Sequence, residues 1–226
     1  MRSRLIAPAA AALLIAGLFV AILGAGPALA AEPLAGSGKF ETRTLDLAAF
    51  TKIDLGGAFT AKVTFGKTQR VDVTVDDNLW DNLQAAVDDG RLALDWARHC
   101  RPSAGSAVTI TMAAPLEEFT LAGAGDVGIA GLVGRHLTFY LRGAGNAVLD
   151  GTVDGLEIVL TGAGSCAARG LKAKDVKIIL AGMGDCEVHA SASLDARISG
   201  VGNVTYWGEP GTKQTEVTGK GEIMGR

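Results

Sequence analysis

The feature that most constrains this chain is a glycine corner that returns at almost even spacing. LAGAGD occupies 121–126, LRGAGN 141–146, LTGAGS 160–165 and LAGMGD 180–185, with weaker copies ISGVGN at 198–203 and VTGKGE at 217–222. The first glycines are Gly123, Gly143, Gly162, Gly182, Gly200 and Gly219, giving steps of 20, 19, 20, 18 and 19 residues. A fixed period of this length marks a repeat architecture. Around each corner apolar residues alternate. Leu137, Phe139 and Leu141 precede one corner and Val127 and Ile129 follow another, the period of a strand with one buried face. The corner itself suits a tight bend, with Gly free to take positive φ and Asp, Asn or Ser closing the turn through its side chain.

A unit of about 19 residues with such short strands cannot bury its own apolar side. Ordering each residue costs roughly 1–2 kcal/mol of backbone entropy, and stacking on neighbouring units supplies the burial that offsets it. The expected fold is therefore all-β, a right-handed parallel β-helix (solenoid) with coils of about 19–20 residues. Equivalent residues then stack about 4.8 Å apart. An antiparallel meander is the competing arrangement, but it gives no reason for one Gly-x-Gly corner per 19 residues. Residues 116–226 carry the regular repeats. Residues 40–115 read as irregular opening coils that cover one end, with a helical turn or two over Asn78–Leu83 and a polar loop from Arg98 to Ser106.

The N-terminus has the layout of a secretory signal peptide. Arg2 and Arg4 precede an apolar run from Leu5 to Gly26, Pro27 breaks it, and Ala28, Leu29 and Ala30 form a small-x-small site. Residues 1–30 are thus expected to be removed after Ala30, with 31–39 a flexible leader and 40–226 a single domain. The run is also long enough to span a bilayer, so an uncleaved anchor is the rival reading. No later segment is long and apolar enough to cross a membrane. The whole chain has 21 basic and 24 acidic residues; without Arg2 and Arg4 the balance is 19 minus 24, or −5. An acidic body disfavours nucleic acid as a partner.

Coil-to-coil registry nominates particular residues. Cys166 and Cys186 fall one position after successive corners, where other coils carry Val127, Ala147 and Val204, so both thiols point inward. Stacking brings them near disulfide range, and a buried free pair and a bridge are both open. The corner residues Asp126, Asn146, Ser165, Asp185, Asn203 and Glu222 form one column. Calcium is conceivable there, but the period and the mixed rungs are accounted for by turn chemistry, so no metal is expected. Three positions beyond each inward Cys-type residue stand Asp150, Arg169, His189 and Trp207, an outward strip suited to binding a sugar or an anion. The plain alternative is a solvated salt-bridge ladder. A second outward strip, Tyr140, Val159 and Ile179, is a small apolar patch suited to a homo-oligomer or partner contact. No nucleophile with a neighbouring base is evident, and no pair of carboxylates faces across a cleft as glycoside hydrolysis requires.

Taken together, the Phe50–Ile53 opening, Val63–Phe65, Asp77–Asn78, Gly90–Leu92, Pro115–Leu116, the serial L-x-G-x-G-[DNS] corners and the closing Tyr206–Pro210 segment resemble the head GIN domain family of auto-transporter adhesins, over about residues 40–210. That resemblance implies a β-helix on the envelope side of bacteria with no established reaction. The resulting expectation is an exported, non-enzymatic module, periplasmic or on the cell surface, that binds a glycan or an envelope protein and needs no cofactor. A carbohydrate-active enzyme on a β-helix and a structural assembly protein are the alternatives.

Overall fold

The computed structural model describes residues 32–226; the expected signal peptide and its cleavage site lie outside them. The chain winds into a parallel β-solenoid of about five turns, and its regularity originates at the corners. The residues between the paired glycines, Ala124, Ala144, Ala163, Met183, Val201 and Lys220, bridge one another in that order along a single spine. At this spine successive coils touch backbone to backbone. A Cβ on Gly162 would overlap the carbonyl oxygen of Gly143. The second glycine is more constrained, because Gly164 also takes a φ of +140°. Absence of a side chain is therefore required twice per corner, for space at the first glycine and for both space and conformation at the second.

The Asp, Asn or Ser after each corner acts between coils, where the sequence suggested a bond within its own turn. The Asn146 N–H donates to Asp126 Oδ1 at 2.9 Å, Ser165 N–H to Asn146 Oδ1 at 3.2 Å and Asp185 N–H to Ser165 Oγ at 3.3 Å. Asn203 N–H then donates to Asp185 Oδ1 at 2.8 Å, and Glu222 N–H to Asn203 Oδ1 at 3.1 Å. Each short acceptor thus satisfies a main-chain donor of the next coil that the ladder itself leaves unpaired. Amide donors occupy these oxygens, and among the described residues no group of three or more His, Cys, Asp or Glu is placed to hold a metal ion.

The segment expected to close each coil loosely is instead a third parallel face. In the coil Cys166–Leu180, Leu171 and Ala173 pair with Gly151 and Val153 and are buried. Inward columns stack like on like, as in Leu141–Leu160–Leu180–Ile198. The column containing Phe119 and Phe139, whose rings stack at 5.6 Å, narrows through Ile158 and Ile178 to Ala196.

The opening half lies at one end of the stack, and its stacking order differs from its chain order. Lys52–Leu55 and Phe59–Phe65 form a coil directly beneath Glu118–Leu121 and Val127–Ile129. The later strands Arg91–Trp96 and Ser106–Met112 lie beneath that coil in turn. Antiparallel strands then finish the end: Leu83–Asp88 on Arg91–Trp96, and Arg70–Asp76 followed by Phe40–Leu45 on Ser106–Met112. The expected helical turn is a short 3-10 helix, Asp77–Asn82.

The leader expected over 31–39 is tied down from Leu34. Leu34–Ala35 pair in parallel with Cys100–Arg101, inside the stretch read as a loop. The reason is Asp76, which is 1% exposed. Its carboxylate accepts the Gly38 N–H at 2.8 Å, the Ser103 N–H at 3.0 Å and the Ser103 hydroxyl. Burial alone would raise this carboxyl's pKa; the hydrogen bonds from Ser103 and Gly38 outweigh it and hold the group below its ordinary value.

Two predictions follow from this architecture. Gly164→Ala should destabilise the protein by about 3 kcal/mol or more in urea unfolding, because strain and overlap combine. Gly128→Ala, whose Cβ would meet nothing nearer than 4.0 Å, should stay within about 0.5 kcal/mol. Asp76→Ala should cost roughly 2–3 kcal/mol at neutral pH. Because the folded pKa is depressed, the stabilisation is complete above the unfolded value of about 3.9 and disappears as pH falls through the lower folded value. The wild-type advantage over Asp76→Ala should therefore shrink in unfolding curves as the pH is lowered below the unfolded value of about 3.9.

Candidate functional site

The outward strip nominated from the sequence is assembled differently from a simple column. His189 and Trp207 are in register on adjacent coils. Asp150 pairs with Gly170, not Arg169, and His189 pairs with Lys172. The cause is coil length. From Ala147 to Cys166 is 19 residues, from Cys166 to Cys186 is 20, and from Cys186 to Val204 is 18. The surplus of the middle coil is taken up at this edge, where the register shifts between Ala168 and Lys172.

This bulge frees the Arg169 side chain to reach across the intervening coil. Its guanidinium carbon lies 4.3 Å from the centre of the Trp207 ring, within cation–π range. Among the described residues no carboxylate lies within ion-pairing distance of Arg169 or of Lys172, whereas Lys174 and Lys177 on the same coil pair with Asp154 at 2.8 Å and Glu157 at 2.7 Å. The Lys172 ammonium caps the Arg169 carbonyl at 3.4 Å. His189 is half-buried on the rung between Arg169 and Trp207, and its Nδ1 is shielded without a hydrogen-bond partner. Desolvation, reinforced by the nearby Lys172 charge, pushes its pKa below the ordinary value. The edge thus presents a guanidinium and an ammonium, neither with a carboxylate partner, beside an imidazole and an indole. Sequence spacing missed Lys172, because only the bulge carries it onto the His189 rung.

The second strip keeps its predicted register. Tyr140, Val159 and Ile179 stand in one outward column that runs on into Arg197 and Glu216. All three are half-buried, with the Arg142 guanidinium 4.7 Å from the Tyr140 ring centre. The more exposed large apolar side chains sit elsewhere, Met183 and Val201 on the glycine spine and Phe40, Val133, Val148 and Val217 off it.

Cys166 and Cys186 are directly paired rungs of the core, both buried and both free. A hydrogen bond between the two thiols and burial drive the Cys186 pKa well above its ordinary value, which leaves the thiolate, the reactive form, unpopulated at neutral pH. Cys100 is half-buried beside Leu34 and is likewise free.

No protein of curated function matches the chain. Among solved structures, it is similar to a putative adhesin from Bacteroides fragilis NCTC 9343, at 26% identity and a TM-score of 0.72, covering 85% of this chain and 100% of that one. A putative adhesin from Parabacteroides merdae ATCC 43184 shares the fold at 21% identity and a TM-score of 0.52, covering 87% of this chain and 100% of the other. The family model described as "Putative auto-transporter adhesin, head GIN domain" matches residues 49–210, the span that holds the glycine spine as far as Gly202 and the Arg169–Trp207 edge. The chain belongs to that head GIN domain family.

Proposed function

We propose that this protein is an exported, non-enzymatic binding module of the bacterial cell envelope, and that the Arg169–Lys172–His189–Trp207 edge holds its ligand, an anionic glycan or another envelope polymer bearing carboxylate or phosphate groups. The adhesin naming of the family and of its structural relatives supports a binding role in general. The observation that carries the finer reading is the guanidinium carbon seated 4.3 Å from the indole ring centre with no carboxylate, among the described residues, within ion-pairing distance. A guanidinium so placed keeps N–H donors available for a planar anion. In an acidic protein, two unpaired cations on neighbouring positions make a local site for negative charge. Such an edge lacks the facing carboxylates that sugar hydrolysis would need, which favours binding over turnover.

The test is a solid-phase binding assay of the secreted protein against acidic polysaccharides and isolated envelope polymers. Wild-type protein should bind saturably and lose affinity as salt is raised. Arg169→Ala and Trp207→Ala should each weaken binding about tenfold or more, a difference of roughly 1.4 kcal/mol, with unchanged far-UV circular dichroism. Binding that both variants retain in full would remove this edge from the function.

A further inference from the structure

A second polar surface lies across the next corner of the coil, away from the Arg169 edge. Two clefts meet there and share His136. One, of about 510 Å³, is bounded by Pro115, Glu117 and Arg135. The other, of about 340 Å³, runs over Gly155, Glu157, Asp175, Lys177, Ser193 and Asp195. Their walls are two outward columns of the solenoid, His136–Gly155–Asp175–Ser193 and Thr138–Glu157–Lys177–Asp195, in register from coil to coil. Counting the Glu117 level, the groove crosses five coils, or about 19 Å at the spacing of a parallel ladder.

Three details set this groove apart from an ordinary solvated face. Gly155 does not take positive φ, so backbone conformation does not call for glycine there. A Cβ at 155 would lie 2.5 Å from His136 Nδ1, so the missing side chain makes the hollow into which the imidazole leans. His136 Nε2 is in turn anchored 3.2 Å from Thr138 Oγ1. Second, Asp195 Oδ1 is shielded from water and accepts no hydrogen bond, although Oδ2 pairs with Arg197 at 3.2 Å. An acceptor left without a donor in this way is a cost that an ordinary solvated carboxylate does not carry. Third, hydrogen-bonding groups recur on every coil and alternate in charge, with Lys177 between Glu157 and Asp195.

We infer that this groove is a second ligand site, shaped for a neutral linear oligosaccharide laid along the solenoid axis. Each sugar residue advances a chain by a length close to one coil spacing, so a chain laid along the axis passes about one coil per residue. A hydroxyl both donates and accepts, which matches a wall that mixes carboxylates, a lysine, an imidazole and the Ser193 hydroxyl. The acids Glu117, Glu157, Asp175 and Asp195 outnumber the bases Arg135 and Lys177, so a polyanion is repelled here, opposite to the preference of the Arg169 edge. The two sites therefore differ in ligand charge and can be separated by mutation.

Isothermal titration calorimetry with β-1,4-linked glucose and β-1,4-linked N-acetylglucosamine oligomers of two to six residues tests the inference. Affinity should rise with length and level off at about four residues, the number of coil steps spanned. His136→Ala and Asp195→Ala should each weaken binding about tenfold or more, and Gly155→Val should weaken it likewise by pushing the His136 imidazole out of its place. Arg169→Ala should leave it unchanged while still reducing binding of acidic polymers. Absence of binding by every neutral oligomer overturns the inference, as does equal affinity in His136→Ala and Asp195→Ala with native circular dichroism. Loss of neutral-oligomer binding in Arg169→Ala would place the sugar on the other edge and overturn it as well.

Discussion

Main-chain contact between successive coils at the glycine spine is the constraint from which the rest of this structure follows. Where Gly143 meets Gly162 and Gly145 meets Gly164, carbonyl groups occupy the space that side chains would need. That contact fixes the vertical position of each coil on the one before it. Parallel pairing on three faces then follows, and inward columns such as Leu141–Leu160–Leu180 stack like on like. The column from Asp126 to Asn203 serves the same end, since each side chain satisfies an amide of the next coil. No coil is stable by itself; each is held by its neighbours, as in repeat proteins generally.

A stack of this kind leaves two open ends, and the protein treats them differently. The N-terminal end is turned aside by antiparallel strands whose outer members carry the ion pairs Arg43–Glu41 and Arg70–Asp72. Asp76 ties the segment around Gly38 and the loop at Ser103 onto this cap. At the C-terminal end, Thr212–Val217 places Lys213 and Thr215 in columns that are Leu194 and Ala196 one coil earlier. Polar groups thus end the apolar columns, and Lys213 sits 6.0 Å from the Tyr206 ring centre. Both devices blunt edges that would otherwise recruit further strands.

The surface chemistry comes from where the repeat is imperfect. Perfectly equal coils would carry Asp150, Arg169, His189 and Trp207 as one ladder, in which Asp150 and Arg169 would neutralise one another. Unequal coils of 19, 20 and 18 residues shift the register, separate Asp150 from Arg169 and place the guanidinium on the indole. The groove beside His136 depends on a different irregularity, a glycine in a column whose other members carry side chains. In both cases a small departure from the repeat makes the site, while the regular coils hold it rigid.

The glycine corners and the alternation around them were sufficient, from sequence alone, to establish the parallel solenoid, the inward rung of Cys166 and Cys186 and the column of Tyr140, Val159 and Ile179. All of these depend on local periodicity, which a strand expresses directly. Tertiary structure alone decided four other features. The third face of each coil lacks a strong sequence period, because its buried positions are few and hold small residues such as Ala173. The opening coils stack out of chain order, because pairing across Lys52–Leu55 depends on partners distant in sequence. Leu34–Ala35 are held by Cys100–Arg101 and by donors to Asp76, contacts that no local pattern encodes. Lys172 reaches the Arg169 edge through a bulge, and a bulge is the structural answer to unequal coil lengths, whose position along the coil depends on which corner can yield.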